Sequence, residues 1–172
     1  MLWQSSRGTM TAHRLDDLDA RLIAELRAQP RVGLLEISRR LGVARGTVQA
    51  RLAKLESRGV ITGFGPEIDP AAMGYGITAF VLLELAQGRL EEATAALEAV
   101  PEVLEADAIS GQHDLWCRVV ARDTEHLQEI FNAIHASGAI RRSTSSVVLS
   151  QAIRPRTAPL LDAAARELRD AG

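Results

Sequence analysis

Apolar residues recur at helical spacing through the first third of the chain. Three such stripes predict three short helices: one capped by Asp16 or Asp17 and ended by Pro30, one over residues 34–41 and one over residues 44–58. The last two are joined by a turn of about four residues that contains a glycine, a residue at which helices commonly end. Two helices joined by so short a turn, with another packed behind them, predict a helix-turn-helix domain.

The remainder of the chain alternates between strand and helix patterns. Its elements follow the order βαββαβ, which is typical of a ferredoxin-like unit. We therefore predict an α+β protein in which an N-terminal helix-turn-helix domain is joined to a ferredoxin-like βαββαβ domain. The predicted elements are strand 77–85, helix 90–100, strands 103–110 and 114–121, helix 124–135 and a strand within 140–153 centred on Val147, Val148 and Leu149.

Turn residues and shifts in composition define the expected domain boundaries. A short apolar run at residues 59–64, broken by Gly65 and Pro66, predicts a connecting strand, and residues 158–170 predict a terminal helix. The expected parts are an N-terminal extension (1–14), the helix-turn-helix domain (15–60), a linker strand and hinge (61–75), the ferredoxin-like domain (76–153) and a C-terminal helix (154–172).

The strand predicted at residues 77–85 is apolar on both faces. Alternate positions from Ile77 to Leu85 form one apolar face, and Phe80 and Leu82 lie on the other. An antiparallel sheet with helices on one side usually has a second, solvated face. We expect a second protomer to cover this face, which predicts a dimer formed through sheet or edge contacts. The linker strand and the terminal helix are the alternative occupants.

Charge is divided unevenly along the chain. Residues 1–64 hold 11 basic and 6 acidic residues, whereas residues 65–172 hold 9 and 16, which together give the net charge of −2. A basic N-terminal part fits contact with a polyanion, and the acidic part would be a poor surface for nucleic acid.

The third predicted helix carries most of the candidate DNA contacts. Residues 31–58 hold 7 basic and 2 acidic residues, and the helix start would point into the major groove. Arginine, glutamine and threonine side chains read base edges, and lysine and arginine neutralise phosphates. The alternative is a solvated basic face on a core-packing helix. The candidate DNA-binding residues are Arg31, Arg45, Gly46, Thr47, Gln49, Arg51, Lys54 and Arg58.

The chemistry-bearing residues do not form an enzyme motif. The single cysteine, Cys117, excludes an intrachain disulfide and predicts a buried strand thiol. The four histidines lack metal-ligand spacing, and the glycines do not form a phosphate-binding loop. We therefore predict no catalytic residue, no metal site and no cofactor. The first residues lack the apolar stretch of a signal peptide, and no apolar run reaches the ~18–20 residues of a membrane span, so we expect a cytoplasmic protein.

Taken in order, several stretches of the chain resemble the Lrp/AsnC (leucine-responsive, feast/famine) transcriptional regulators. Each stretch is weak alone, and their order and spacing are specific. The resemblance covers about residues 15–153. The stretches are Leu15-Asp16-Asp17-Leu18-Asp19, Leu41-Gly42-Val43, Thr47-Val48, Arg51-Leu52, Leu55 to Ile61, Ile68-Asp69-Pro70 with Gly74, and Ser110-Gly111-Gln112-His113-Asp114-Leu115.

This resemblance implies a regulator that binds double-stranded DNA through residues 15–60 and responds to a small amino-acid effector. It also implies that residues 76–153 form the effector-binding and oligomerisation domain, and that homodimers associate into octamers or related rings. It also implies an effector pocket between dimers, to which the loop around Gly111 contributes. An amino acid needs an acceptor for its ammonium and donors for its carboxylate. Residues 111–114 offer backbone amides at a glycine turn and one carboxylate, and residues 143–146 on the last strand offer hydroxyls. The alternative is an ordinary hairpin turn with solvated hydroxyls. The candidate effector-binding residues are Ile109, Gly111, Gln112, His113, Asp114, Thr144, Ser145 and Ser146.

Two departures from the family pattern bear on these expectations. Ala44 stands at the start of the third helix, where the family usually has serine, and losing that acceptor should cost about 1 kcal/mol of helix-start stability. Ser146 on the last strand would enlarge or repolarise the effector pocket. Two other functions stay open: an architectural DNA-binding protein without an effector, and an enzyme resembling haem-pathway decarboxylases of the same architecture, against which the retained basic helix argues.

Overall fold

A computed structural model describes residues 15–170, so the predicted N-terminal extension lies outside the described residues. These residues form two compact units: residues 15–66 with 155–170, and Glu67–Arg154. The helices are α1 (Asp17–Ala28), α2 (Leu34–Leu41), α3 (Arg45–Ser57), α4 (Leu90–Glu98), α5 (Thr124–His135) and α6 (Ala158–Asp170). The strands are β1 (Ile77–Leu85), β2 (Val103–Ala108), β3 (Leu115–Ala121) and β4 (Ile140–Val147).

The first unit is built around the apolar stripes of its helices. Asp16 caps α1, and its side chain accepts a hydrogen bond from the Asp19 amide in a capping box. Gly42 ends α2 in the left-handed conformation that glycine adopts readily. The buried core consists of Leu22, Ile37, Leu41, Val48 and Leu55. The predicted helix-turn-helix is therefore confirmed.

The connecting strand predicted at residues 59–64 is wrong. The amides of Val60 and Ile61 both donate to the carbonyl of Leu55, which closes the end of α3 instead of pairing with a strand. Ile61 then packs against the core of the first unit. The apolar character of this run thus serves helix termination and packing, and the linker holds only a 3-10 turn at Ala71–Met73.

The second unit is an antiparallel four-stranded sheet in the order β2-β3-β1-β4. With α4 and α5 in the crossovers, this is the ferredoxin-like βαββαβ arrangement, and the predicted fold class is confirmed. The last strand differs from its prediction. It covers the polar run Arg142 to Ser146, because these residues pair with β1 through their backbone, and it ends at Val147 instead of being centred on Val148.

The two faces of this sheet have different surroundings. One face holds the core of the second unit, in which Ala79, Val81 and Leu83 of β1 are fully buried beside Leu97 of α4 and Ile130 of α5. Phe80 and Leu82 lie on the other face because side chains alternate along a strand. Phe80 remains 39% exposed there.

Cys117 confirms the prediction of a buried strand thiol, since it is fully buried in β3. Burial, with a smaller contribution from the negative charge of Asp107, raises the pKa of its thiol to about 11. The thiol is therefore protonated at neutral pH. Within residues 15–170, no helix has the length and apolar character that crossing a membrane requires.

Candidate DNA-binding and effector-binding sites

Helix α3 buries one side and exposes the other. Val48 and Leu55 are buried in the core, and the side chains about 100–200° around the helix from Val48 are exposed. This exposed side, called the reading face below, has small side chains at its centre and a hydrogen-bonding side chain beside them. Its residues are Gly46, Gln49, Ala50, Ala53 and Ser57.

Most of the predicted DNA-binding side chains are free to meet a ligand. Arg45 begins α3 and Arg58 follows its last residue, so two exposed cations mark its ends. Thr47 and Lys54 are exposed along the helix, and Arg31 is exposed in the turn before α2. The outward direction and charge of these residues suit a helix that enters a groove of DNA.

Arg51 has different surroundings from the other predicted contacts. Its guanidinium bonds to the carboxylates of Asp16 and Asp19 at the start of α1, with 3.2 Å from Nη1 to Oδ1 of Asp19. Asp19 itself is 4% exposed. Arg51 therefore joins the recognition helix to the first helix. Sequence spacing gave no sign of this pairing, since the partners lie 32 and 35 residues apart.

The charge of Asp16 responds to this arrangement. Partial burial by itself raises the pKa of the carboxyl, but the Asp19 amide and the Arg51 guanidinium outweigh burial and hold the pKa of Asp16 below its ordinary value. The same bond to Asp16 raises the pKa of Arg51. The pair is thus fully charged at neutral pH.

The start of α3 lacks a side-chain cap. Ala44 occupies the N-cap position in an extended conformation and makes no side-chain hydrogen bond. Its carbonyl accepts from the amides of Thr47 and Val48, which is the only link by which Ala44 supports the first turn. Gly46 lies in that turn and adds conformational freedom. The expectation of a weak helix start therefore has a structural basis.

The predicted effector loop joins β2 to β3 and is held by its own hydrogen bonds. Gly111 has φ +126°, a backbone conformation that favours glycine. The Ile109 amide donates to the carbonyl of Asp114 at 3.0 Å, and the Asp114 amide donates to the carbonyl of Leu83 at 2.9 Å. The Asp114 carboxylate also accepts from the Leu85 amide at 2.7 Å. One role of Asp114 is therefore to fasten this loop to β1.

Alternation divides the hydroxyl groups of β4 between the two faces of the sheet. Ser143 lies on the helix-covered face, where its hydroxyl is 2.9 Å from Nε2 of His135, and Ser145 shares that side. Thr144 and Ser146 pair with Leu82 and Phe80 and lie on the other face. The structure thus gathers Ile109, Gly111, Gln112, His113 and Asp114 in one loop, brings Thr144 and Ser146 together on one face, and separates Ser145 from them.

That second face of the sheet has an aromatic centre and a charged border. The rings of Phe80 and Trp116 stack with centroids 5.3 Å apart, and Leu82 lies between Trp116 and Thr144 in the register. This surface is called the open face below. It also carries the charged residues Glu84, Glu105, Asp107, Arg118 and Arg142.

Comparisons with known proteins agree with both halves of the fold. The model of the AsnC-type helix-turn-helix domain matches residues 15–56, and the model of the Lrp/AsnC ligand-binding domain matches residues 78–158. The HTH-type transcriptional regulator Rv2324 of Mycobacterium tuberculosis is 34% identical over 142 residues, which cover 81% of this chain and 95% of that protein. The chain belongs to the Lrp/AsnC family of transcriptional regulators.

Solved structures show the same relationship. This Lrp/AsnC regulator is similar to Escherichia coli AsnC, with a TM-score of 0.77 and 26% identity over 84% of this chain and 99% of that one. It is also similar to the feast or famine regulatory protein of M. tuberculosis complexed with L-methionine, with a TM-score of 0.73 and 31% identity over 83% of this chain and 97% of that one.

Two features of this Lrp/AsnC regulator were missed from the sequence. Asp16 was interpreted only as a possible helix cap and Asp19 only as part of a stretch that resembles the family, yet both bind Arg51. Ala50 and Ala53 carry no chemistry that draws attention, yet they form the centre of the reading face. Their helical phase relative to Val48 is the signal that could have found them.

Proposed function

We propose that this Lrp/AsnC regulator reads DNA with α3 and that a small amino acid controls its binding. The observation that carries the proposal is the reading face, which is exposed, flanked by cations and backed by a buried core. Arg45 and Gln49 would contact base edges, and the methyl group of Ala50 suits a thymine methyl. Lys54, Arg58 and Arg31 would neutralise phosphates, and Thr47 and Gly46 would let the helix start approach the backbone.

Arg51 has a positioning role in this proposal. A guanidinium that already bonds to two carboxylates has less charge to offer a phosphate, because its own partners neutralise it. It would instead fix the orientation of α3 relative to α1.

The proposed effector is a free amino acid. A related regulator has been crystallised with L-methionine, which supports this class of ligand. The loop from Ile109 to Asp114 would bind the ammonium and carboxylate groups, since Asp114 keeps a second carboxylate oxygen besides the one that accepts from Leu85. Thr144 and Ser146 would contribute hydroxyls from the open face, and Ser145 from the opposite face. Because one protomer separates these groups, a second copy would complete the pocket.

The assembly we propose is a homodimer that associates further, to an octamer. The open face supports it, since stacked aromatic rings with a border of both charge signs suit a self-complementary contact. Residues 15–60 would then be the DNA-binding domain and residues 76–153 the effector-binding and oligomerisation domain, with residues 61–75 as hinge and 154–172 as terminal helix. Its activity in the cytoplasm would be the regulation of transcription and not catalysis.

A thermal-shift screen with the twenty amino acids tests the effector. We expect at least one, with L-methionine the first to test, to raise the melting temperature, because a ligand that binds only the folded state stabilises it. Asp114→Asn keeps an acceptor for the Leu85 amide while removing the charge, so it should fold normally and lose the shift. If none of the twenty amino acids raises the melting temperature of the wild-type protein, the result would favour an architectural protein without an effector.

A further inference from the structure

The last helix belongs to the DNA-binding unit although it comes after the sheet in the chain. The chain leaves this unit at Pro66 and returns to it at Pro155, and α6 packs against α1. Nearly all of α6 lies beyond the residues matched by the two family models. The three helices of the helix-turn-helix are therefore joined by a fourth that the family pattern does not include.

Helix α1 is buried on two separate sides. Leu22 is fully buried toward α2 and α3. Ala20 lies about 160° around the helix from Leu22, outside that core, and is nevertheless only 5% exposed. A second element must cover this side of α1, and α6 is the further helix that packs against it.

Helix α6 presents one face to this contact. Leu161, Ala164 and Leu168 recur at helical spacing and are all half-buried. The neighbouring Leu160 points away and is 70% exposed. Small side chains on both helices allow a close approach of their backbones.

Helix α6 packs against α1, and α1 in turn supports α3. The N-terminal turn of α1 supplies both carboxylates that bind Arg51, so the direction of α3 depends on how well α1 is ordered. We propose that α6 is a positioning element for DNA binding: by docking on α1 through Leu161, it fixes the support of the recognition helix and raises the affinity for DNA. The proposal needs DNA binding but no effector.

Hydrogen exchange and DNA titration of matched variants test this role. In Leu161→Asp, and in a chain ended at Arg154, we expect the α1 amides around Ala20 to exchange about tenfold faster. DNA affinity should fall about five- to tenfold at constant salt, with an unchanged salt slope because no phosphate contact is lost. The milder Leu161→Ala should show the same changes in smaller size. Leu160→Asp adds the same charge one residue away and should resemble the wild-type protein.

Four outcomes would overturn the proposal. Unchanged exchange of α1 in Leu161→Asp would show that α6 does not hold this helix. Faster exchange with undiminished DNA affinity would make the contact purely structural. A shallower salt slope in the shortened chain would mean that the C-terminal segment contacts phosphates instead. Since coupling is reciprocal, bound DNA should slow the exchange of α6 amides in the wild-type protein, and equal exchange with and without DNA would also count against it.

Discussion

At the scale of single residues, Arg51 and Lys54 look alike in the sequence and differ in the structure. Lys54 is exposed on α3, whereas Arg51 binds Asp16 and Asp19. Lys54→Ala should therefore weaken binding to all DNA sequences and make the slope of log affinity against log salt shallower by about 0.9, the value for one phosphate contact. Arg51→Ala should weaken DNA binding and reduce the preference for one DNA sequence over others, while the salt slope stays unchanged. Fluorescence anisotropy over a salt series measures both, and a slope change in Arg51→Ala would make it a phosphate contact.

Asp16 provides a test by pH. Its folded-state pKa lies below the ordinary value, so its charge stabilises the folded state above about pH 4 and this contribution disappears as the pH falls below that. Asp16→Asn preserves a good helix cap but removes the negative charge that pairs with Arg51. We expect the variant to be less stable at pH 7 and to lose less stability on acidification. Urea unfolding at pH 7 and at pH 3 measures this difference, and parallel losses in both proteins would contradict the role of the ion pair.

At the scale of elements, the start of α3 offers a gain of stability. Ala44 makes no side-chain cap, so Ala44→Ser should supply an acceptor for the amides of the first turn and add about 1 kcal/mol. That corresponds to roughly 4–8 °C in melting temperature for a small domain. Ala44→Val, which caps as poorly as alanine, is the control and should give no gain. Calorimetry decides between them, and equal melting temperatures for serine and valine would show that the cap position does not limit α3.

The sequence was sufficient for elements whose apolar residues follow a clear period. The bounds of α2, β1 and α5 agree with prediction, because in each a stripe or face meets the core and a turn residue ends it. The predicted positions were wrong for β4 and for the strand at residues 59–64. In β4 the strand is set by backbone pairing of polar residues with β1, and apolar content gave the wrong centre. The apolar run after Arg58 was predicted as a strand, but its amides bond to the end of α3 and no strand of the described residues pairs with it.

The candidate sites were predictable to different degrees for related reasons. The outward residues of α3 follow from the phase of Val48 and Leu55, which is local information. The partners of Arg51 and the fastening of Asp114 to Leu85 depend on contacts between distant segments, which spacing alone does not contain. The separation of Ser145 from Thr144 and Ser146 required the strand register.

At the scale of the whole molecule, assembly through the open face is the prediction with the widest consequences. Trp116 stacks on Phe80 at its centre, so Trp116→Glu would place a charge in the contact between copies. We expect sedimentation to show dimers or larger assemblies for the wild-type protein and monomers for the variant. Leu35→Glu, at an exposed leucine of α2, is the control and should keep the wild-type assembly. An unchanged size for Trp116→Glu would place the interface elsewhere.

The central claim is that α3 reads the sequence of duplex DNA. The most direct measurement selects the preferred site from random DNA and compares, at physiological salt, the affinity of wild-type protein for that site and for scrambled DNA. Specific binding should exceed non-specific binding by at least about 10³-fold, and Arg45→Ala and Gln49→Ala should each reduce this ratio with smaller effects on scrambled DNA. Equal affinity for selected and scrambled DNA, or a ratio that neither substitution changes, would contradict the account.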